Sequence, residues 1–150
     1  MKSLAPSKKR PLRLALFDFD GTLCDSAEQI AGAIKKAGRD VGLTNINDEQ
    51  ARQSIGQGLH HLALTLTNHN RDKANEFFEA YRHNFRAEMN SGDTYISPLF
   101  EGAKKTLSSL VAAGWLTGIV TNKGRNGLNH LLKAHEIVDL TNSPSAGCSK

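Results

Sequence analysis

The chain has 150 residues, of which 39% are hydrophobic and 23% charged, with a net charge of +4 and a pI near 9.2. That length supports one modest core, or a small core carrying an inserted helical module, and no apolar run approaches the roughly 18 residues of a membrane span. The basic residues are spread out, with no arginine-rich helix or aromatic-interleaved patch, which favours a small anionic substrate and argues against nucleic acid or membrane partners.

Residues 1–10 carry Lys2, Lys8, Lys9 and Arg10 without the apolar segment of a signal peptide; they read as a flexible basic tail. The two cysteines, Cys24 and Cys148, form no CxxC pair, so reduced thiols in a cytoplasmic protein are the simplest expectation. Leu12 to Phe17 is an apolar run bounded by Pro11 and Gly21, the pattern of a buried strand. It runs straight into Asp18-Phe19-Asp20-Gly21-Thr22-Leu23. Ser26 and Gln29 then have capping-box spacing, opening a helix with the stripe Ile30, Ala33, Ile34 and Ala37 and a stop at Gly38. Asn47 and Gln50 repeat that signal for a second helix reaching about Ser54. Ile55-Gly56-Gln57-Gly58 predicts a bend. Leu59, Leu62, Ala63 and Leu66 resume helical spacing. Asp72 to Met89 is the clearest helix, its aromatics Phe77, Phe78, Tyr81 and Phe85 expected to fill a core and not to face a ligand. Ser91-Gly92-Asp93 closes it.

A loop with Pro98 leads to a helix marked by Ala103, Leu107, Leu110 and Val111 and closed by Gly114. Trp115 to Val120 predicts a second buried strand, ending in Thr121-Asn122-Lys123-Gly124. A helix with Leu128, Leu131 and Leu132 follows, and Ile137 to Leu140 reads as a short third strand. The expected organisation is α/β: a Rossmann-like parallel core from residues 11–25 and 95–150, interrupted by an all-helical insert over residues 26–94.

Asp18 and Asp20 sit where an α/β sheet places its chemistry, at the carboxyl end of a strand. Two residues apart, they point the same way. Paired carboxylates bind a hard cation such as Mg²⁺ through oxygen. One can attack phosphorus while the other moves a proton. A solvated strand-to-turn junction is the bland alternative, and the apolar strand running directly into the acids argues against it. Thr121-Asn122-Lys123 offers a hydroxyl and backbone N–H groups for phosphate oxygens at a second strand end; the competing expectation is a cap for the next helix.

Phe17-Asp18-Phe19-Asp20-Gly21-Thr22-Leu23 with Asp25-Ser26 resembles the first motif of the haloacid dehalogenase-like hydrolases, and Ile119-Val120-Thr121-Asn122-Lys123 resembles their second. Pro98-Leu-Phe-Glu-Gly102 is similar to the phosphoglycolate phosphatase-like branch, which carries a helical cap between the two motifs. The resemblance implies a Mg²⁺-dependent phosphomonoester hydrolase acting on a small phosphorylated metabolite. In it Asp18 is the nucleophile and Asp20 the acid/base. The cation lies on the Asp18 carboxylate and the Asp20 main-chain carbonyl, and Thr121 and Asn122 hold the phosphoryl group. Having Asp at position 20 argues against true dehalogenation. A phosphomutase and a non-catalytic phosphate- or partner-binding domain are the other readings.

The family's third motif is a lysine, for which Lys150 is the candidate; its fourth, an acidic cluster, has no counterpart. The expectation is a C-terminally truncated family member with an incomplete metal site, an unprotected sheet edge that leaves self-association open, and poor activity. Arg52 to Gly58 would correspond to the cap's specificity loop. The six histidines show no metal-ligand spacing and are read as surface or packing residues. Cys24 is read as a small buried residue.

Overall fold

The computed structural model describes residues 11–53, 55, 58–90 and 96–141. In chain order the elements are strand β1 (Leu14–Phe17), helices α1 (Ala27–Asp40), α2 (Asp48–Gln53), α3 (Leu59–Leu66), α4 (Arg71–Asn90) and α5 (Ala103–Ala112), strand β2 (Leu116–Ile119), helix α6 (Arg125–Ala134) and a 3-10 turn (Val138–Leu140).

β1 and β2 pair in parallel, Leu14 opposite Leu116 and Phe17 opposite Ile119. A parallel pair needs a long crossover, and here five helices fill it. Parallel pairing also puts both carboxyl ends at one edge. The Val120 N–H donates to the Phe17 carbonyl at 2.9 Å, so the residues that follow each strand emerge side by side.

Two separate apolar clusters hold the chain together. The first joins Phe19, Leu23, Cys24, Ile119 and Ile137 to Leu107 of α5 and Leu128, Leu131 and Leu132 of α6. The second joins α1 to α4 through Ala31, Ile34, Ala37, Ala51, Leu62, Ala63, Ala74 and Phe77. Within the second, Gly38 is a packing requirement: a Cβ there would strike the Ile46 side chain and come within 2.8 Å of the Leu43 carbonyl. α1 therefore does not stop at Gly38 as its sequence suggests. It runs to Asp40, and the left-handed turn falls at Gly42 (φ 78°).

Three further expectations are corrected. β1 is not a fully buried strand: it alternates, with Leu14 and Leu16 52% and 57% exposed, because among the described residues only one face of the two-stranded sheet is covered. Ile137 to Leu140 forms no strand. Leu140 and Thr141 donate back to Ile137 and Val138 in a 3-10 turn, and the link to the sheet is the Thr117 hydroxyl donating to the Leu140 carbonyl. The Ser26–Gln29 capping box does not form, since α1 has no side-chain cap bond. The Asn47–Gln50 box does, with reciprocal bonds of 2.8 and 3.1 Å.

Candidate active site

The turn after β1 aims the acids. Phe19 points inward and is fully buried, so its neighbours Asp18 and Asp20 point away from that core and both line the cavity. The Phe19 carbonyl accepts from the N–H groups of Thr22, Leu23 and Cys24 at 3.3, 3.0 and 2.9 Å. Gly21, at φ 76°, takes the left-handed conformation this closure requires, and its N–H donates to the Cys24 carbonyl.

Asp18 is exposed. One of its oxygens accepts from the Phe19 N–H at 2.7 Å; among the described residues the other oxygen has no partner. Asp20 is held differently. Its Oδ1 accepts from the Ser26 hydroxyl at 2.7 Å and from Lys123 Nζ at 3.1 Å, and its Oδ2 lies 3.4 Å from the same Nζ. The pair is largely enclosed, Asp20 15% and Lys123 10% exposed. Ser26 is fully buried: its side chain is turned to Asp20 and makes no cap bond to α1. The Gln29 carbonyl oxygen likewise accepts from the Ser97 hydroxyl at 2.7 Å.

Across the strand edge, the Thr121 hydroxyl oxygen accepts from the Lys123 N–H at 3.2 Å, leaving its own proton to donate. It caps no helix, because α6 starts after Gly124 without a side-chain cap. Asn122 is exposed beside it. The first turn of α6 lines the same wall and adds the positive end of its dipole.

These residues share one cavity of about 730 Å³. Asp18, Asp20, Thr121, Asn122 and Lys123 form its strand-end wall; Ile30, Ile34, Ile55, Gly58, Leu59 and α4 form the rest. The cavity corrects the reading of the α4 aromatics. Phe77 is core, but Phe78 and Phe85 line the cavity. Phe85 also seats against Gly127 of α6, where an added Cβ would lie 2.8 Å from the ring. Adjacent residues on a helix diverge by about 100°, so Phe77 and Phe78 cannot face one layer together.

Lys123 is the functional candidate that sequence reasoning left without a role. The signal was present in Thr121-Asn122-Lys123, but its partner Asp20 lies 103 positions away. Lys150 lies outside the described residues. Arg52 is turned to an ion pair with Glu28, while Ile55 and Gly58 reach the cavity.

Cys24 can be set aside as a nucleophile. Burial, with a smaller contribution from the nearby Asp20 charge, pushes its thiol up to about 11, and the thiol lies 3.4 Å from the Ser97 carbonyl.

A match to the family model described as haloacid dehalogenase-like hydrolase extends over residues 15–143. The chain belongs to this family. A phosphoglycolate phosphatase of Aliivibrio fischeri is 31% identical over 133 residues, covering 86% of this chain and 59% of the relative. An N-acetylmuramic acid 6-phosphate phosphatase of Pseudomonas putida is 33% identical over 112 residues, covering 75% of this chain and 49% of the relative. Among solved structures, a haloacid dehalogenase-like hydrolase from Bacteroides fragilis aligns with a TM-score of 0.76 at 27% identity, covering 88% of this chain and 61% of the other. The chain thus spans less than two thirds of the length of these relatives.

The family's Mg²⁺ can be tested against the donors present. The Asp18 oxygen that accepts from the Phe19 N–H keeps a second lone pair for a cation, and both Asp20 carboxylate oxygens are already engaged by Ser26 and Lys123, leaving the Asp20 main-chain carbonyl as a second hard donor. Among the described residues no three His, Cys, Asp or Glu side chains gather as a metal site. These two oxygens would suit Mg²⁺ only as partial protein ligands, the remaining donors being water and phosphate oxygens.

Proposed function

We propose that the chain carries the phosphoryl-transfer half of a Mg²⁺-dependent phosphomonoesterase acting on a small phosphorylated metabolite. The observation behind this reading is the division between the two carboxylates: Asp18 has a free oxygen facing the cavity, and Asp20 is fixed by Ser26 and Lys123.

In this reading the free oxygen of Asp18 attacks phosphorus, forming an aspartyl-phosphate as the P–O bond to the leaving alcohol breaks. Asp20, in its protonated form, gives that alcohol a proton and, once ionised beside Lys123, takes one from the water that attacks the phosphoaspartate. That second attack releases orthophosphate and restores both carboxyl groups. Thr121 donates its hydroxyl to a phosphoryl oxygen, and Asn122 and the first turn of α6 add N–H donors. Lys123 positions Asp20 and offsets negative charge. Mg²⁺, when bound at Asp18 and the Asp20 carbonyl, supplies further charge neutralisation. The helices α1 to α4 act as the cap that covers the ester and excludes water. The relatives' names point to an acid-bearing or sugar phosphate as the substrate.

The sparse metal donors also support a second reading, a phosphate-binding domain without efficient turnover, and for the same reason activity of the 150-residue chain should be low. The test is release of phosphate from p-nitrophenyl phosphate with and without Mg²⁺. Slow, Mg²⁺-dependent release that disappears in Asp18→Asn supports the hydrolase. Undiminished release in that variant refutes the assigned nucleophile. Phosphate binding measured by calorimetry without release supports the binding domain.

A further inference from the structure

We infer that the α4 wall of the cavity reads a second anionic group, so that the natural substrate is a phosphomonoester with an apolar-faced body and an additional carboxylate or phosphate. The inference rests on the phosphatase reading and deepens it. α4 presents two neighbouring rows to the cavity. Phe78, Tyr81 and Phe85 form one; Arg82 and Arg86, four residues apart, form the other. Arg82 lies over the Phe78 ring, 4.4 Å from its centre, and approaches Glu79 only at 3.5 Å on the exposed surface. Arg86 has no ion-pair partner among the described residues.

The charge balance of the cavity is uneven. Its acids among the described residues are Asp18 and Asp20, both on the strand-end wall, and Asp20 is already matched by Lys123. Among the described residues no acid on the α4 side lines the cavity. An exposed guanidinium at the cavity wall, without a carboxylate partner among the described residues, is suited to a planar anion brought by a ligand. The aromatic row beside it offers flat apolar surface to the ligand's body. The volume of about 730 Å³ is that of a site for a drug-sized molecule, larger than a phosphoryl group on a two-carbon acid would fill.

Three aryl esters test this by calorimetry on the full chain: phenyl phosphate, 4-carboxyphenyl phosphate and benzene-1,4-diyl bisphosphate. The two doubly anionic esters should bind about tenfold more tightly than phenyl phosphate, as a charge-assisted contact allows, and the tighter of the two identifies the preferred group. That preference should collapse in Arg86→Gln and return in part in Arg86→Lys. Equal binding of all three esters, or a preference that survives both Arg86→Gln and Arg82→Gln, overturns the inference. Phosphate release, followed in parallel, separates the two levels. A charge preference without release supports this inference while sinking the hydrolase. Release from all three esters with no preference keeps the hydrolase and overturns the inference.

Discussion

Two helix starts in this chain carry the same local signal and meet different ends. At Asn47 and Gln50 the side chains bond each other's backbone N–H groups and cap α2. At Ser26 and Gln29 neither does: Ser26 turns to Asp20, and Gln29 is taken by Ser97. The first helix start lies in an exposed stretch, where local bonding wins. The second lies against the strand ends, where a carboxylate competes for the hydroxyl and a charge-assisted bond is the stronger one. A local rule broken at this spot marks a place where structure serves chemistry.

Substitutions should separate the two kinds of site. Asp18→Asn is expected to bring phosphate release down to background with the fold intact by circular dichroism, since the exposed side chain supports no packing. Lys123→Met should lower kcat by roughly 10²–10³, the scale of removing one aligned electrostatic group. It should also destabilise the chain, because Asp20 would be left enclosed without its cation. Ser26→Ala should reduce kcat about tenfold, through loss of one bond to a charged group, with little change in α1 helicity. Asn47→Ala should do the reverse: activity is unchanged while stability falls by about 1 kcal/mol in denaturant unfolding. Equal effects of Ser26→Ala and Asn47→Ala on activity would erase the contrast.

Cys24 adds a pH handle. Burial pushes its thiol up to about 11 in the folded chain from an ordinary value of 9.0, so above pH 9 the unfolded chain loses this proton first. Stability should therefore decline as pH rises from 9 towards 11, and Cys24→Ala should remove that part of the decline. Parallel stability curves for the two proteins over this range would contradict the assigned burial.

The fold and the strand-end turn that carries Asp18 and Asp20 are readable because they rest on local pattern. Apolar runs ending in Asp18-Phe19-Asp20 and in Thr121-Asn122 predicted two strand ends, and the helical periodicities located α1 to α6 to within a few residues. What escaped depends on partners that only the fold supplies. The ion pair of Lys123 with Asp20 spans 103 positions. Whether Phe78 faces a core or a cavity is decided by the strand ends opposite α4. The exposure of Leu14 and Leu16 depends on which layers cover the sheet, and Ile137 to Leu140, apolar enough for a strand, has no further ladder to join among the described residues.

The central claim is that Asp18 takes the phosphoryl group. Its most direct test mixes the chain with p-nitrophenyl phosphate and Mg²⁺, quenches in acid and maps the phosphorylated peptide by mass spectrometry. The account predicts one phosphoryl group on Asp18, absent from Asp18→Asn and accumulating in Asp20→Asn if the leaving group needs no proton. Phosphate release with the adduct on another residue, or undiminished release from Asp18→Asn, would contradict it.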